Sequence, residues 1–372
     1  MGDPSFGQTT RTTAARQRTG SLHIEFARSL EELREEWGPL ALASRNIFST
    51  YEWVSIWQRH FGTSRRLFTA TGRDSAGRLV ALVPLSVAAQ GPLRIVRFAG
   101  NGPADQLGPV CYPSDRPLAA AALREALDRL PTRWDVFLGT QLAIDEHWTG
   151  LIGGRLMRRQ SSPVLRPGTD KWDSHLVGTG SKLLREARRK ERQLARGRTL
   201  RYRLADDQDR LPQDLDRLFA LHRLRWQAES PFSLNEAFHH EFAAVALERG
   251  WLRLWFLELD GEAIAAQYGM RYADSESSYQ HGRDPRLPHS SLGTLLLIHA
   301  MAKAFESGAA EYRFLRGPEP YKYRLANADE GLATMAIPHG AIGAAAVKVA
   351  HAAATWRSPL LAPVRRLLHR WD

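Results

Sequence analysis

The clearest alternation of apolar and polar positions lies at the start of the stretch from Ser277 to Lys322. Ser278-Tyr279-Gln280-His281-Gly282 alternates as a strand does. Asp284-Pro285-Arg286-Leu287-Pro288 cannot extend it, because proline fixes φ and removes a donor. Beyond the turn, Leu295-Leu296-Leu297-Ile298 and Ala300-Met301-Ala302 predict a helix, with Ser290 or Ser291 as its N-cap and Gly308 at its left-handed end. Strand, small-residue turn and capped helix together suit an anion. Free first-turn N–H groups and the helix dipole favour a phosphate, and Gly293 leaves room for a bulky group to reach the backbone. The same pattern also describes a helix start that only packs on a sheet.

The pattern of elements occurs twice. Leu67–Ala70 leads through Asp74-Ser75-Ala76-Gly77 to the strand Leu79–Leu85, and Leu252–Leu257 leads through Asp260-Gly261 to Ala263–Tyr268. Both read as hairpins with Gly-containing turns. A tryptophan-bearing helix precedes each, around Trp53 and Trp57 in one half and around Leu218, Leu221 and Trp226 in the other. An Ala/Leu-rich helix and a short strand follow each, the strands reading Trp134–Gly139 and Tyr312–Gly317. Such a repeat predicts two similar α/β lobes. Pro163, Pro167 and Gly168 mark the boundary near Ser161–Asp170. The expected division is a disordered tail over 1–20, lobes over 21–165 and 170–338, and a helical basic tail over 339–372.

Charge sharpens this picture at one place. The chain carries a net +11, and the segment from Ser181 to Arg203, where only Glu186 and Glu191 oppose the basic residues, contributes +8 of it. Leu183, Ala187 and Leu194 give that segment a narrow apolar stripe, so it reads as a basic surface helix rather than a DNA-binding face. The lone Cys111 rules out an intrachain disulfide framework and a cysteine zinc site, and no apolar run reaches the ~18 residues of a membrane span. A cytoplasmic location is the expectation. The basic end from Val364 to Trp371 reads as packed or frayed, with a membrane surface as its other reading.

Several chemistries lack their residues. No G-x-x-x-x-G-K-[ST], G-x-G-x-x-G after a strand, or G-x-S-x-G is present. His239-His240-Glu241 has Ala244 where a zinc-binding helix needs its second histidine, so it reads as a helix surface and no metal site is expected.

From about residue 22 to 337 the chain resembles the CelD/BcsL-like acetyltransferases associated with exopolysaccharide and cellulose biosynthesis, a branch of the GNAT superfamily with a tandem-lobe, FemAB-like arrangement. The resemblance rests on Ser291-Leu292-Gly293, on Tyr312-Arg313-Phe314 with Gly317 and Tyr321-Lys322, and on Trp172, Leu176, Ser181, Arg185, Arg188 and Arg192. In the first half it rests on Phe98-Ala99-Gly100-Asn101 with Asp105. Arg313 stands where the family shows an acidic residue, and of the general glycine signature only Gly293 survives.

The resemblance implies two tandem GNAT-like lobes, each a mixed twisted sheet flanked by helices. It also implies direct transfer of an acyl group, with acetyl-CoA or another acyl-CoA as co-substrate, to a sugar or cell-envelope precursor. Ser290, Ser291, Leu292, Gly293 and Thr294 would then hold the pyrophosphate, and Lys322 would neutralise a phosphate. His281 would act as base, Tyr279 or Tyr321 as acid to the thiolate, and Asn101 and Asp105 would contact the acceptor. The same twin-lobe fold supports aminoacyl transfer from tRNA to a peptidoglycan precursor, which would give the basic helix an RNA partner. A third reading is a non-catalytic member of a polysaccharide-synthesis complex, in peripheral contact with that machinery or the membrane.

Overall fold

Leu79–Gln90 is apolar at most positions, as a central strand must be. In a computed structural model of the chain its first nine residues are buried and it pairs on both sides. The structure describes residues 22–167, 181–226, 230–287 and 292–355. It contains two seven-stranded mixed sheets.

In the first sheet β1 (His23–Phe26), β2 (Arg66–Arg73), β3 (Leu79–Gln90) and β4 (Leu93–Phe98) run antiparallel, and β5 (Val136–Ala143) joins β4 in parallel. In the second, β8 (Leu200–Leu204), β9 (Leu252–Leu259), β10 (Glu262–Tyr272) and β11 (Ser275–Arg283) run antiparallel, and β12 (Glu311–Arg313) joins β11 in parallel. A helix supplies each parallel crossover, α3 (Arg116–Asp128) in one lobe and α8 (Leu292–Glu306) in the other. The two lobes therefore repeat the same order of elements, as the twofold hydrophobic pattern predicts.

The lobes also trade strands. β14 (Leu332–Pro338), late in the sequence, lies in the first sheet between β5 and β6 (Arg155–Gln160). β7 (Pro163–Leu165) lies in the second, between β12 and β13 (Ala328–Asp329). The proline-rich boundary thus coincides with a crossing of chain between sheets. Each lobe is completed by a strand from the other side of it.

One apolar core runs through both lobes. Trp53, on α2 (Tyr51–Phe61), meets Phe238 and Phe242 of α7 (Glu236–Glu248) edge-on, with ring centroids 4.9 and 4.6 Å apart. Such pairs add about 0.5–1.5 kcal/mol each beyond area burial. A second core lies under α8, where Leu295, Leu296 and Met301 pack with Leu257 and Tyr312. The basic helix α5 (Ser181–Leu194) inserts Leu183, Ala187 and Leu194 into that core and exposes Arg185, Arg188, Arg189 and Arg192. α10 (Gly340–Thr355) covers β5 and β14.

Two sequence expectations change. Strand structure ends at Arg313 rather than Gly317, because Leu315 and Gly317 take left-handed backbone with φ of 57° and 121°. His239 is not on a helix surface but wholly buried, because its side of α7 meets the aromatic rings of Phe219, Phe232, Tyr268 and Tyr279. Neither ring nitrogen has a hydrogen-bond partner among the described residues, and burial pushes the imidazole down to about 3. A depressed histidine is neutral in the fold and charged in the unfolded chain below pH 6.5, so stability falls as pH drops from there. We expect His239→Leu to lose less stability between pH 7 and pH 5 than the parent, by about 2 kcal/mol at pH 5. Urea unfolding at the two pH values measures this, and an identical pH dependence in the two proteins would refute it.

Candidate functional site

The site begins where two parallel strands part. β11 and β12 pair only from Ser275–Ser277 to Glu311–Arg313. Beyond that, Tyr279 forms a bulge on β11, and the left-handed turn at Leu315 carries the other strand away. Lys322 holds that turn in place. Its buried ammonium donates to the carbonyls of Arg316 at 2.7 Å and Leu315 at 3.3 Å, and pairs with Glu319 at 2.9 Å.

The opening consists of two adjoining cavities of about 210 and 160 Å³ that share Arg225, His281 and Tyr321. The first is lined also by Arg283 and by Gly293, Thr294 and Leu297 at the start of α8. The second takes Ser278 and Tyr279 from β11, Arg316, Glu319 and Lys322 from the turn, and Asp105 from the other lobe. Gly282 permits the arrangement. A Cβ there would sit 2.6 Å from the His222 backbone, so only glycine lets α6 (Leu211–Trp226) lie close enough to bring Arg225 beside His281.

Most residues singled out in the sequence meet here: His281, Tyr279, Tyr321, Gly293, Thr294, Lys322 and Asp105. Two others do not. Leu292, the first residue of α8, turns into the core, and Asn101 lines a separate cavity in the first lobe. Ser290 and Ser291 lie outside the described residues, as do Trp172 and Leu176. Arg225, Arg283 and Arg316 were missed. Arg283 was legible, since it follows Tyr279 and His281 at strand period two.

Each polar group has a distinct condition. Tyr279 donates its hydroxyl to the Pro103 carbonyl at 2.5 Å across the lobes, and burial holds it well above a normal tyrosine. Tyr321 is pushed up to about 12 by burial and by Glu319, so its hydroxyl stays protonated at neutral pH. His281 shares a 2.9 Å hydrogen bond between Nε2 and the Ser278 hydroxyl, and burial with Arg225 behind it pushes the imidazole down to about 3. Asp105 pairs with Arg316 at 3.1 Å, yet burial raises its carboxyl above the usual range. Arg225 and Arg283 have no carboxylate partner among the described residues, and burial lowers the Arg225 guanidinium.

A Cβ built on Gly293 meets nothing within 4 Å, so the helix start faces open space. Two guanidiniums without a carboxylate partner among the described residues thus line the same cavity as the first turn of α8, an arrangement whose chemistry suits an anion. The matching place in the first lobe is closed. Asn101 bonds Thr140 at 3.0 Å where β4 and β5 part, and the turn into α3 carries Asp115, bound to Arg78 at 2.6 Å. A carboxylate at that helix start repels a phosphate.

Residues 181–323 match the family model described as an acetyltransferase (GNAT) domain. FemX shares the fold, with a TM-score of 0.56 and 11% identity over 83% of this chain and 95% of that one. L-PGS from Bacillus licheniformis shares it with a TM-score of 0.55 and 17% identity over 92% of this chain and 95% of that one. No curated protein sequence matches the chain. These structural likenesses establish a twin-lobed architecture, and the matched segment contains β11, the turn into α8, Tyr321 and Lys322. Residues 181–323 are a GNAT-type acetyltransferase domain, and the chain is an acyltransferase.

Proposed function

We propose that the chain transfers an acyl group, acetyl in the simplest case, from acyl-CoA to an amine or hydroxyl of a sugar or other cell-envelope or exopolysaccharide precursor. The observation that carries this reading is the open start of α8 at Gly293, flanked by Arg225 and Arg283 and continuous with the wedge between β11 and the 314–317 turn. In this reading Gly293, Thr294, Arg225 and Arg283 hold the pyrophosphate. Lys322 serves by fixing the turn, since its ammonium is already committed to protein carbonyls. The bound co-substrate supplies a thioester carbonyl, which the acceptor attacks directly.

The acceptor must lose a proton as it attacks. An imidazole held near 3 is far from the matched acidity that makes an efficient base at neutral pH. Asp105 suits the task better: it reaches the same cleft, and burial raises its carboxyl while Arg316 keeps it oriented. His281 remains neutral and accepts a hydrogen bond, which positions Ser278 or the acceptor. Tyr321 carries the proton available to the departing thiolate, since Tyr279 is already spent on Pro103.

Aminoacyl transfer from tRNA is the second reading, and one observation favours it: Arg185, Arg188, Arg189, Arg192 and Arg196 are all exposed on and just after α5. Charge-dominated RNA contact weakens steeply with salt. An acyl-CoA enzyme shows no such tRNA affinity, so filter binding of tRNA at two salt concentrations separates the readings. A native-state ligand raises stability by mass action, so melting with acetyl-CoA, longer acyl-CoAs and free CoA identifies the donor.

Gly293→Val places a side chain in the open approach without meeting protein atoms. It is expected to weaken acetyl-CoA binding by one to two orders of magnitude, about 1.4–2.8 kcal/mol, with the fold retained. Calorimetry showing parental affinity would move the donor away from this turn.

Asp105→Asn is expected to lower turnover by at least about 10²-fold while leaving the KM for acyl-CoA near the parental value. The parent should lose activity as pH falls through a value above the ordinary carboxylate range, and the variant should lack that limb. A pH–rate profile of unchanged shape in the variant would exclude Asp105 as the base.

A further inference from the structure

The first lobe has a cavity of about 300 Å³ that the acyl-transfer reading does not use. Arg97, on β4, is 9% exposed, and its guanidinium donates to Gln90 Oε1 at 2.8 Å. Arg65 donates to the Asn101 carbonyl at 3.0 Å and lies over Trp57 and Phe61, 5.4 and 5.6 Å from their ring centroids. Ser64, Ser86 and Asn101 also line the cavity, and no carboxylate does. Neither arginine has a carboxylate partner among the described residues.

Elsewhere the chain neutralises an arginine that it buries. Arg203, largely enclosed, pairs with Asp214 at 2.8 Å and Glu258 at 2.6 Å. Burying a guanidinium without an anion is unfavourable, and placing a second one beside it adds repulsion. Burial and Arg65 together push Arg97 down to about 10. A cavity that keeps two such groups uncompensated is organised for a charge brought from outside.

We propose that the first lobe carries its own anion-binding site, built on Arg65 and Arg97, which takes the phosphoryl group of a phosphorylated ligand. Two guanidiniums and two hydroxyls match a dianion with several acceptor oxygens better than a single carboxylate. The volume leaves space for the group attached to the phosphate. The turn from Asn101 to Asp105 links the two sites, since Asn101 lines this cavity and Asp105 lines the acyl-transfer cleft.

Glucose 1-phosphate in calorimetry and phosphatidic acid vesicles in sedimentation, with phosphatidylcholine vesicles as control, probe the soluble and the lipid source of that phosphomonoester. We expect one of the two to bind, and Arg97→Gln and Arg65→Gln each to weaken it by about tenfold or more, with acetyl-CoA binding unchanged within about twofold. The responding arm names the source. Arg97→Gln is also expected to raise the melting temperature in phosphate-free buffer, because it removes an uncompensated buried charge. A lowered melting temperature would make Arg97 a structural residue and overturn the proposal. So would absence of binding in both arms, binding that survives both arginine variants, or binding abolished by Gly293→Val, which would belong to the other cleft.

Discussion

The parting of two parallel strands after three residues governs what this molecule can do. A continuous β11–β12 ladder would place side chains where the cleft lies, and main-chain hydrogen bonds would consume the polar groups along it. Three local features keep the strands apart: the bulge at Tyr279, the left-handed backbone at Leu315, and the Lys322 ammonium that gathers the carbonyls of the turn. None of them is a catalytic group in the strict sense. They create a space with a helix start at one end and the opposite lobe at the other, and polar and charged side chains occupy its walls.

The repeat then explains an asymmetry. Both lobes part their parallel strands, but only the second leaves the gap empty. In the first, Asn101 and Thr140 bridge the gap, and Asp115 sits at the helix start. That lobe instead contributes Asp105 and the Pro103 carbonyl to its partner's cleft. The exchange of β7 and β14 makes such a contribution dependable, because neither lobe completes its sheet alone. The shared aromatic core around Trp53 resists the hinge-like opening that a smaller or more polar interface would permit.

Much of this was legible before any coordinates. Hairpins, crossover helices and their repetition follow from period-two and period-3.6 patterns that a local reading can detect. The Tyr279–His281–Arg283 alternation marks one wall of the cleft. What escaped has a common cause. The exchange of strands, the burial of His239 and the arrival of Arg225 and Arg316 depend on which distant segments pack together, and nothing in the local pattern encodes that. His239-His240-Glu241 shows the limit well. Its polar letters predict solvent, yet its first histidine faces a wall of rings while Glu241 reaches Arg59 and His60 of the other lobe.

Buried charge offers a reading that hydrophobic pattern cannot. Arg203 and Lys322 are enclosed, and each is met by carboxylates or carbonyls of the chain itself. These cations hold structure, and removing a partner would leave a costly orphan. Arg225, Arg283, Arg65 and Arg97 line cavities and form no ion pair with a carboxylate among the described residues. The folded chain bears the destabilisation of each uncompensated guanidinium, an expense that packing alone does not justify. In the proposed reading, the division between answered and unanswered arginines separates the scaffold from the surfaces that take anions. It places one such surface in each lobe, on either side of the Asn101–Asp105 turn.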